Sequence, residues 1–287
     1  LARCFPEAGS RSAVHRLIDK ECVKVNGRTV KAHHKVREGE QVLILFESQP
    51  VSEDAQVKPE LIPLDILYED DSILMINKPE GMLVHPARGQ NSGTLVNALL
   101  YHCKTLSTLN EVNRPGIVHR LDRETSGLIV AVKNNQAHAN LAKQFEKHKV
   151  YKKYLALVKG CVELDEGEID APIARHAVYF DKKAVSFDAE SSRPAKTFYK
   201  VIKRYGTTAS LVALFPKTGR THQLRVHMKF LGHPILGDEK YGIARGFPRL
   251  ALHAQAIRFY HPQKYYLMEF SVPPPNKFRN IEQLVSE

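Results

Sequence analysis

The sequence predicts an α+β protein built from two parts, a small N-terminal module and a larger domain of mixed helices and strands. Short uncharged runs bounded by polar or turn-forming residues, such as residues 128–132, are typical of buried strands. Apolar residues recur at helical spacing in other segments, as in residues 137–145. Residues 47–66 contain three prolines and several acids with little periodicity, which is typical of a linker. We therefore expect a module over residues 1–46 and a domain over residues 67–287.

The composition favours a polyanionic partner. Lys and Arg number 42 against 31 Asp and Glu in 287 residues, which gives a formal net charge of +11 at pH 7. Such a surplus favours nucleic acid, because each phosphate contact adds affinity through counterion release. No run of 18 apolar residues occurs and residues 1–9 lack a signal-peptide core, so we expect no membrane span and no export. We expect a cytoplasmic monomer whose four cysteines, which form no Cys-x-x-Cys pair, are free thiols.

The N-terminal module is predicted to contain one helix and a small sheet. The helix begins near Ser10, since Val14 and Leu17 recur at helical spacing. Asn26-Gly27 is a two-residue turn signal after a short strand, and residues 42–46 form a closing strand.

The pattern S-R-S…L-I…V-x-V-N-G-R…V-R-E-G-E in this module resembles the small RNA-binding module first recognised in a small-subunit ribosomal protein. The resemblance implies an RNA-facing surface on the helix that carries Arg11, Arg16 and Lys20 and on the turn that carries Arg28. A solvated charged face is the alternative interpretation. Members of that family usually begin one or two helical turns earlier, so we expect the first helix to be incomplete.

The larger domain is predicted to alternate strands with three helices, two of which begin after the N-caps Thr94 and Asn134. The third helix follows the Thr218-Gly219 turn. Residues 176–196 are expected to be a long loop without regular structure, either functional or mobile. Strands are predicted at residues 73–76, 128–132, 151–158, 168–171, 197–202, 209–215, around 257–259 and at 265–272.

A dense polar loop over residues 116–127, G-I-V-H-R-L-D-R-E-T-S-G, opens onto one of these strands. Loops held by a rigid scaffold carry much protein chemistry, although a solvated ion-pair cluster would have the same composition. The stretch resembles the signature loop of the RluA-type pseudouridine synthases, as does N-K-P-x-G-x-x-V-H-P over residues 77–86. The resemblance implies a mixed, mainly antiparallel sheet and identifies Asp122 as the catalytic residue. Arg120 corresponds to the arginine that fills the gap left by a flipped nucleotide.

Two further motifs extend the resemblance. In K-x-Y-x-A-x-V, the tyrosine of this family stacks on the target base near the ribose, which implies that role for Tyr154. In T-G-R-T-H-Q-L-R-V-H, the second arginine pairs with the catalytic aspartate, which implies Arg225. The residues predict that Arg220 and His222 lie in the first turn of the helix, a natural anion site, with Arg225 one turn later.

The expected RNA-binding set in the larger domain consists of Arg120, His119, Arg220 and His222. His222 and His227 lie five residues apart, more than the four-residue step of metal ligands on one helical face, so we expect no metal.

The implied reaction converts uridine in RNA to pseudouridine without a cofactor. A uridine stacked within folded RNA must be flipped out to react, and a carboxylate nucleophile divides the hard step in two. A neighbouring guanidinium orients a carboxylate and stabilises its charge. The residues leave open whether Asp122 attacks the base, attacks the anomeric carbon or assists proton removal from the ribose. The expected partner is structured RNA, with large-subunit ribosomal RNA or an assembly intermediate first and transfer RNA as the alternative.

Two other functions remain open at this point. A non-catalytic RNA-binding protein, such as a ribosome assembly factor, would share the basic charge and the module. A hydrolytic glycosidase would need a second carboxylate, for which Glu124 is the nearest candidate in sequence.

Overall fold

The computed structural model describes residues 11–19, 21–45, 57–87, 89–109, 114–242 and 247–278. The chain divides into two compact units, an N-terminal unit over residues 1–56 and a C-terminal unit over residues 57–287. Val57 and Leu64 pack against the core of the C-terminal unit. The predicted linker therefore overlaps this unit from Val57 onward, because apolar side chains among its prolines bury themselves there. Residues 46–56 lie outside the described range.

The N-terminal unit contains the helix α1 (Arg11–Asp19) and the strands β1 (Val23–Val25), β2 (Arg28–Thr29) and β3 (Val42–Ile44). The strands form an antiparallel sheet in the order β2-β1-β3. Asn26 and Gly27 connect β1 and β2 with φ values of 49° and 80°, which confirms the predicted turn. Arg28 is exposed on β2, whereas Lys20 and the side chains of Arg11 and Arg16 lie outside the described part.

The C-terminal unit contains eleven strands and three helices among its described residues. The helices are α2 (Leu95–His102), α3 (Asn135–Glu146) and α4 (Gln223–Phe230), and a 3-10 turn covers Asn276–Phe278. The strands are β4 (Ile66–Glu69), β5 (Ile73–Lys78), β6 (Ser126–Val132), β7 (Tyr151–Lys159), β8 (Glu166–Asp170), β9 (Ile173–Arg175), β10 (Lys183–Val185), β11 (Lys196–Tyr205), β12 (Ala209–Pro216), β13 (Leu252–Tyr260) and β14 (Leu267–Ser271).

Nine strands of this unit form one sheet in the order β4-β5-β6-β13-β7-β12-β11-β8, with β14 paired to β13. The pair β6–β13 is parallel. The other pairs in this sheet are antiparallel. The predicted mixed, mainly antiparallel α+β fold is thereby confirmed.

Strand β6 is buried on both faces, which explains its uncharged sequence. Ile129 and Ala131 belong to the core cluster that contains α2. Leu128 and Val130 belong to the cluster that contains α3. Successive side chains of a strand point to opposite faces, so α2 and α3 cover opposite faces of the sheet at β6.

The predicted N-caps of α2 and α3 are confirmed. Thr94 accepts a hydrogen bond from the Asn97 amide, and the Asn97 side chain accepts one from the Thr94 amide, which forms a reciprocal capping box. Asn134 accepts a hydrogen bond from the Ala137 amide at 2.9 Å. These bonds satisfy amide groups that the first helical turn leaves without a helical partner.

The prediction of an unstructured loop over residues 176–196 is wrong. Strands β9 and β10 pair as an antiparallel two-stranded sheet. Ile173 and Ala195 pack with Val226 and Tyr241 in a small core cluster, and the Tyr241 hydroxyl accepts a hydrogen bond from the Lys183 amide at 2.7 Å. Contacts with residues far along the chain therefore order this segment despite its polar composition.

Gly127 allows β6 to approach β13 closely. Its φ is +111°, and a Cβ atom there would lie 2.2 Å from the carbonyl oxygen of Ala254. A side chain at this position is therefore excluded twice, by the backbone conformation and by the neighbouring strand. The close approach places the start of β6, and the polar loop before it, beside β13.

Candidate active site

A buried lysine on β5 binds the main chain of the polar loop. Lys78 is fully buried, and its Nζ donates to the carbonyl oxygens of Pro79 at 2.7 Å, Met82 at 2.9 Å and Arg123 at 3.2 Å. Burial, followed by the charge of Arg249, lowers the pKa of Lys78 to about 7. The three carbonyl acceptors compensate for the lost hydration of the amine and fix the main chain one residue after Asp122.

Arg225 brings α4 to this loop. Its Nη1 donates to Asp122 Oδ2 at 3.3 Å, across 103 residues of sequence. The structure thus places Arg225 against Asp122, as the family resemblance implied. The Arg225 side chain is 3% exposed and the Asp122 side chain 15%, so the pair lies at the inner end of a cleft.

A second carboxylate, which sequence reasoning did not assign, binds Arg225 more closely. Asp238 accepts two hydrogen bonds from Arg225, from Nε at 2.8 Å and from Nη2 at 2.7 Å. The Asp238 carboxylate also accepts the backbone amides of Lys240 and Tyr241, both at 3.0 Å. Burial by itself lowers the pKa of Arg225. The hydrogen bonds and charge of Asp238, followed by those of Asp122, outweigh this effect, so the pKa of Arg225 is raised. The sequence signal for Asp238 is the short pattern Gly237-Asp238-x-x-Tyr241-Gly242, which by itself assigns the carboxylate no role.

The predicted position of the helix start is wrong by one turn. Helix α4 begins at Gln223, so Arg220 and His222 precede it and Arg225 lies in its first turn. His222 is the N-cap residue, and its left-handed conformation, with φ 59° and ψ 17°, prevents the helix from beginning earlier. Gln223 then ties the helix to β11, since its Nε2 donates to the Lys196 carbonyl and to Thr197 Oγ1 at 3.0 Å each.

Asp122, Tyr154 and Arg225 line one cavity of about 460 Å³. The four predicted RNA-binding residues of this unit line the same cavity, and His85 of the N-K-P motif does not. The predicted residues at this cavity are His119, Arg120, Asp122, Tyr154, Arg220, His222 and Arg225. Glu124, the candidate second carboxylate of a glycosidase, is outside the lining and lies 3.7 Å from Arg225 Nη1.

Tyr154 lies on β7 and packs against two core clusters. Burial, followed by the negative charge of Asp122, raises the pKa of its hydroxyl. As a protonated phenol that lines the cavity, it can donate a hydrogen bond there.

Two of the three histidines that line the cavity, His119 and His222, are neutral and held by hydrogen bonds. His119 Nε2 accepts a hydrogen bond from the Val130 amide at 3.0 Å, and its ring stacks on Phe145 with centroids 4.7 Å apart. Burial, followed by the charge of Lys152, lowers the pKa of His119 to about 3. His222 Nδ1 lies 2.7 Å from the Tyr241 hydroxyl, and burial lowers its pKa although Asp122 opposes the shift.

Several cations line the cavity. Arg120 is exposed, and Arg220 Nε donates to the Pro194 carbonyl at 3.1 Å. Lys152 Nζ lies 3.5 Å from the Thr218 carbonyl oxygen, and burial lowers the pKa of Lys152 to about 8. Lys152 belongs to the K-x-Y motif, but the sequence alone assigned it no role. One residue separates it from Tyr154 on β7, so the two side chains lie on the same face of the strand, and this spacing is the signal that could have identified Lys152.

His227 is a core residue. Its Nδ1 lies 2.9 Å from Thr197 Oγ1 and its Nε2 lies 3.0 Å from the Ala171 carbonyl oxygen, so both ring nitrogens are used within the fold. Across the described residues, no group of three or more His, Cys, Asp or Glu side chains has a geometry that would hold a metal ion. In the same part of the chain, no helix has the length and apolar character needed to cross a membrane. Cys22, Cys103 and Cys161 are free thiols.

Comparison with known proteins shows the family to which the chain belongs. The family profile of the RNA pseudouridylate synthases matches residues 72–230, and that of the S4 domain matches residues 7–42. An uncharacterised RNA pseudouridine synthase of Aquifex aeolicus is 46% identical over 100% of this chain and 92% of its own length. Ribosomal large subunit pseudouridine synthase D of Pasteurella multocida is 40% identical over 97% of this chain and 87% of its own length.

Among solved structures, human RNA pseudouridylate synthase domain containing 1 superposes with a TM-score of 0.62 at 29% identity. The superposition covers 75% of this chain and 85% of the human chain. Both family resemblances drawn from the sequence, and the predicted enzyme class, are confirmed. The chain belongs to the RNA pseudouridine synthases, carries an N-terminal S4 domain, and is an enzyme that isomerises uridine in RNA.

Proposed function

We propose that Asp122 is the catalytic residue of this isomerisation and that Arg225 and Tyr154 act with it. The observation that carries the proposal is the convergence of a loop, a helix and a strand on one cavity of about 460 Å³. This volume lies within the range of roughly 300–1,000 Å³ that is typical of small-ligand pockets. Asp122 is accessible from the cavity, whereas the guanidinium that orients it is buried.

Arg225 supplies a fixed positive charge for this carboxylate. Asp238 holds two nitrogens of the guanidinium, which leaves Nη1 directed at Asp122 Oδ2. A preorganised charge needs no rearrangement when charge moves during the reaction. Attack on the base, attack on the anomeric carbon and assistance in proton removal from the ribose all require an oriented carboxylate at this place.

Tyr154 is proposed to stack on the target base and to donate a hydrogen bond near the ribose. The hydroxyl lies at the cavity and, like other tyrosine hydroxyls at neutral pH, carries a proton that it can donate. Stacking of a base on an aromatic side chain is worth about 1–3 kcal/mol and depends little on sequence. The ring therefore suits a pocket that receives a base already removed from its neighbours.

The substrate uridine is proposed to enter as a flipped-out nucleotide. Arg120 is exposed on the polar loop that carries Asp122 and is the candidate to occupy the gap left in the RNA. Lys152, Arg220 and Lys217 line the cavity and suit contacts with the phosphates on either side of the target nucleotide. The neutral His119 and His222 then shape the pocket rather than neutralise phosphate.

The RNA is proposed to be large-subunit ribosomal RNA, modified in the cytoplasm. The S4 domain and relatives named for the large ribosomal subunit support this choice. Carbodiimide-arrested primer extension on RNA from cells with and without the gene tests it. Gene-dependent stops in large-subunit RNA are the expected result, and gene-dependent stops in transfer RNA alone would replace the proposed substrate.

The catalytic assignment is tested with Asp122→Asn in the full chain. Tritium release from uridine-labelled RNA should fall to background, while RNA binding and the melting temperature stay near wild type. Pseudouridine formed by the folded Asp122→Asn protein would reject Asp122 as catalytic residue. Release of free uracil by the wild-type protein would indicate glycosidase activity, and wild-type binding without turnover would indicate an assembly factor.

A further inference from the structure

A second buried arginine, Arg249, contacts the catalytic loop, which is the polar loop over residues 116–127 that carries Asp122. The Arg249 side chain is 7% exposed and forms an ion pair with Glu80 through Nη1. Its Nη2 donates to the Glu124 carbonyl at 3.2 Å and to Ser126 Oγ at 2.9 Å. These two acceptors lie two and four residues after Asp122, on the turn that the Thr125 amide closes by donating to the Asp122 carbonyl at 3.1 Å.

The same guanidinium is anchored on its own segment. Its Nε donates to the Leu250 carbonyl at 3.0 Å, and its Nη2 also reaches the Leu252 carbonyl at 3.4 Å. Arg249 thus joins the catalytic loop to the start of β13 and, through Glu80, to the loop after β5. Burial lowers the pKa of Arg249 and Glu80 opposes this shift, so the charge is retained by its acceptors rather than by water.

The main chain of Arg249 also abuts the segment that carries Asp238. Gly237 has a φ of +67°, and a Cβ atom there would lie 1.8 Å from the Arg249 carbonyl oxygen. Arg249 therefore contacts the Asp122 loop with its side chain and the Asp238 turn with its backbone. The segments that carry the two carboxylates sharing Arg225 therefore both contact this one residue.

Arg249 does not line the cavity that holds Asp122. It lines a separate cavity of about 190 Å³ together with Glu80, Glu124 and Arg225. The Glu124 side chain lies 3.7 Å from Arg225 Nη1, while its carbonyl binds Arg249. Arg249 is thus linked to the catalytic pair through one intervening residue without touching the place proposed for substrate.

We propose that Arg249 is a positioning residue of the isomerisation, which holds the turn after Asp122 so that its carboxylate meets Arg225. The inference rests on the proposed catalytic role of Asp122. Its functional signature differs from that of a substrate contact: loss of Arg249 lowers kcat and leaves the KM for RNA unchanged. Displacement of a catalytic group by about 1 Å can cost on the order of 10²-fold in rate.

The test compares Arg249→Ala and Arg249→Lys in the full chain, with Arg204→Ala as matched control. Arg204 is a networked arginine on β11, bound to the Val162 carbonyl at 2.8 Å and to Asp165 at 2.6 Å, and it lines neither cavity. Arg249→Ala should lower kcat by about 10²-fold with KM within about twofold of wild type. Arg249→Lys should recover only part of the loss, because an amine lacks the planar fork. Arg204→Ala should keep wild-type kcat.

Chemical rescue separates positioning from general destabilisation. The cavity of about 190 Å³ beside Arg249 offers added guanidinium ion a binding place in Arg249→Ala. Guanidinium at concentrations far below those that denature should restore kcat at least about tenfold in Arg249→Ala and leave Asp122→Asn inactive. Wild-type kcat in Arg249→Ala, a rise in KM alone, or a loss that guanidinium does not restore would overturn the inference. Turnover by Asp122→Asn would instead overturn the catalytic assignment, whatever Arg249→Ala does.

Discussion

Arg225 donates two short hydrogen bonds to the buried Asp238 and one longer hydrogen bond to Asp122. The guanidinium is therefore held by a carboxylate that solvent does not reach, and it offers its remaining nitrogen to the carboxylate in the cleft. Family resemblance alone described Arg225 as the partner of Asp122. The structure adds that Asp238 is its stronger partner, which makes the position of Arg225 independent of the substrate.

Asp238→Ala is expected to destabilise the fold strongly, because it leaves Arg225 buried without its main partner. Breaking a buried ion pair by removing one member typically costs about 3–5 kcal/mol. The free energy of unfolding measured by urea titration checks this value. Asp165→Ala provides the control, because its pair with Arg204 leaves the Asp165 side chain 82% exposed, and it should change stability little. Similar stability of the two variants would contradict the importance of the Asp238 pair.

Arg225→Lys is expected to be intermediate in activity between wild type and Asp122→Asn. Lysine keeps the positive charge near Asp238 but cannot bind both carboxylates through one planar group. The order wild type, Arg225→Lys, Asp122→Asn in single-turnover rates on one RNA is the expected result. An Arg225→Lys rate equal to wild type would show that orientation of Asp122 does not depend on the guanidinium.

Tyr154→Phe separates stacking from hydrogen-bond donation, since it keeps the ring and removes the hydroxyl. If the hydroxyl assists proton transfer, the rate should fall on the order of 10²-fold or more, as is typical of general acid–base groups. The melting temperature should change little, because the ring continues to pack against both core clusters. Wild-type turnover in Tyr154→Phe would leave Tyr154 with the stacking role alone.

RNA affinity is expected to include a component from Lys152 that disappears as the pH rises through about 8. Burial lowers the pKa of Lys152 from 10.5 to about 8, so the amine is charged below that pH and neutral above it. The effect of Lys152 on stability runs in the opposite direction from its effect on RNA binding. Between about pH 8 and 10.5 the lysine binds more protons in the unfolded chain than in the folded chain, so its contribution to the free energy of unfolding rises with pH. Comparison of Kd for wild type, Lys152→Met and Lys152→Arg from pH 7 to 9 measures the effect.

The difference in Kd between wild type and Lys152→Met should shrink above about pH 8, while Lys152→Arg should stay tight, because arginine remains charged. A constant difference across this range would exclude Lys152 as the titrating contact.

Arg28→Ala is expected to weaken RNA binding uniformly across sequences, because Arg28 is an exposed cation on the N-terminal unit. Loss of one phosphate contact should reduce the slope of log Kd against log salt by about 1. Turnover at saturating RNA should persist, since the proposed chemistry lies in the C-terminal unit. Arg204→Ala, which removes a cation paired with Asp165, serves as control. An unchanged salt slope in Arg28→Ala would remove Arg28 from the RNA contacts.

Local signals in the sequence determined the elements and the identity of the enzyme. Thr94 and Asn134 each precede apolar residues at helical spacing, and both cap helices in the structure. Asn26-Gly27 predicted a tight turn because its residues tolerate positive φ, and the turn is present. The residues around Asp122 identified the family because they form one contiguous segment.

Tertiary structure alone decided how that segment is held. Asp238, Lys78 and Arg249 come from three separate places in the chain, and each acts through hydrogen bonds to residues distant in sequence. Such contacts leave no periodicity, so a pattern along the chain does not reveal them. Helix α4 starts later than predicted for a related reason, because the left-handed His222 is stabilised by Tyr241 from a later turn. Sequence determines where a charged group occurs, whereas its burial and partners, which decide its pKa and its direction, follow only from the packing of remote segments.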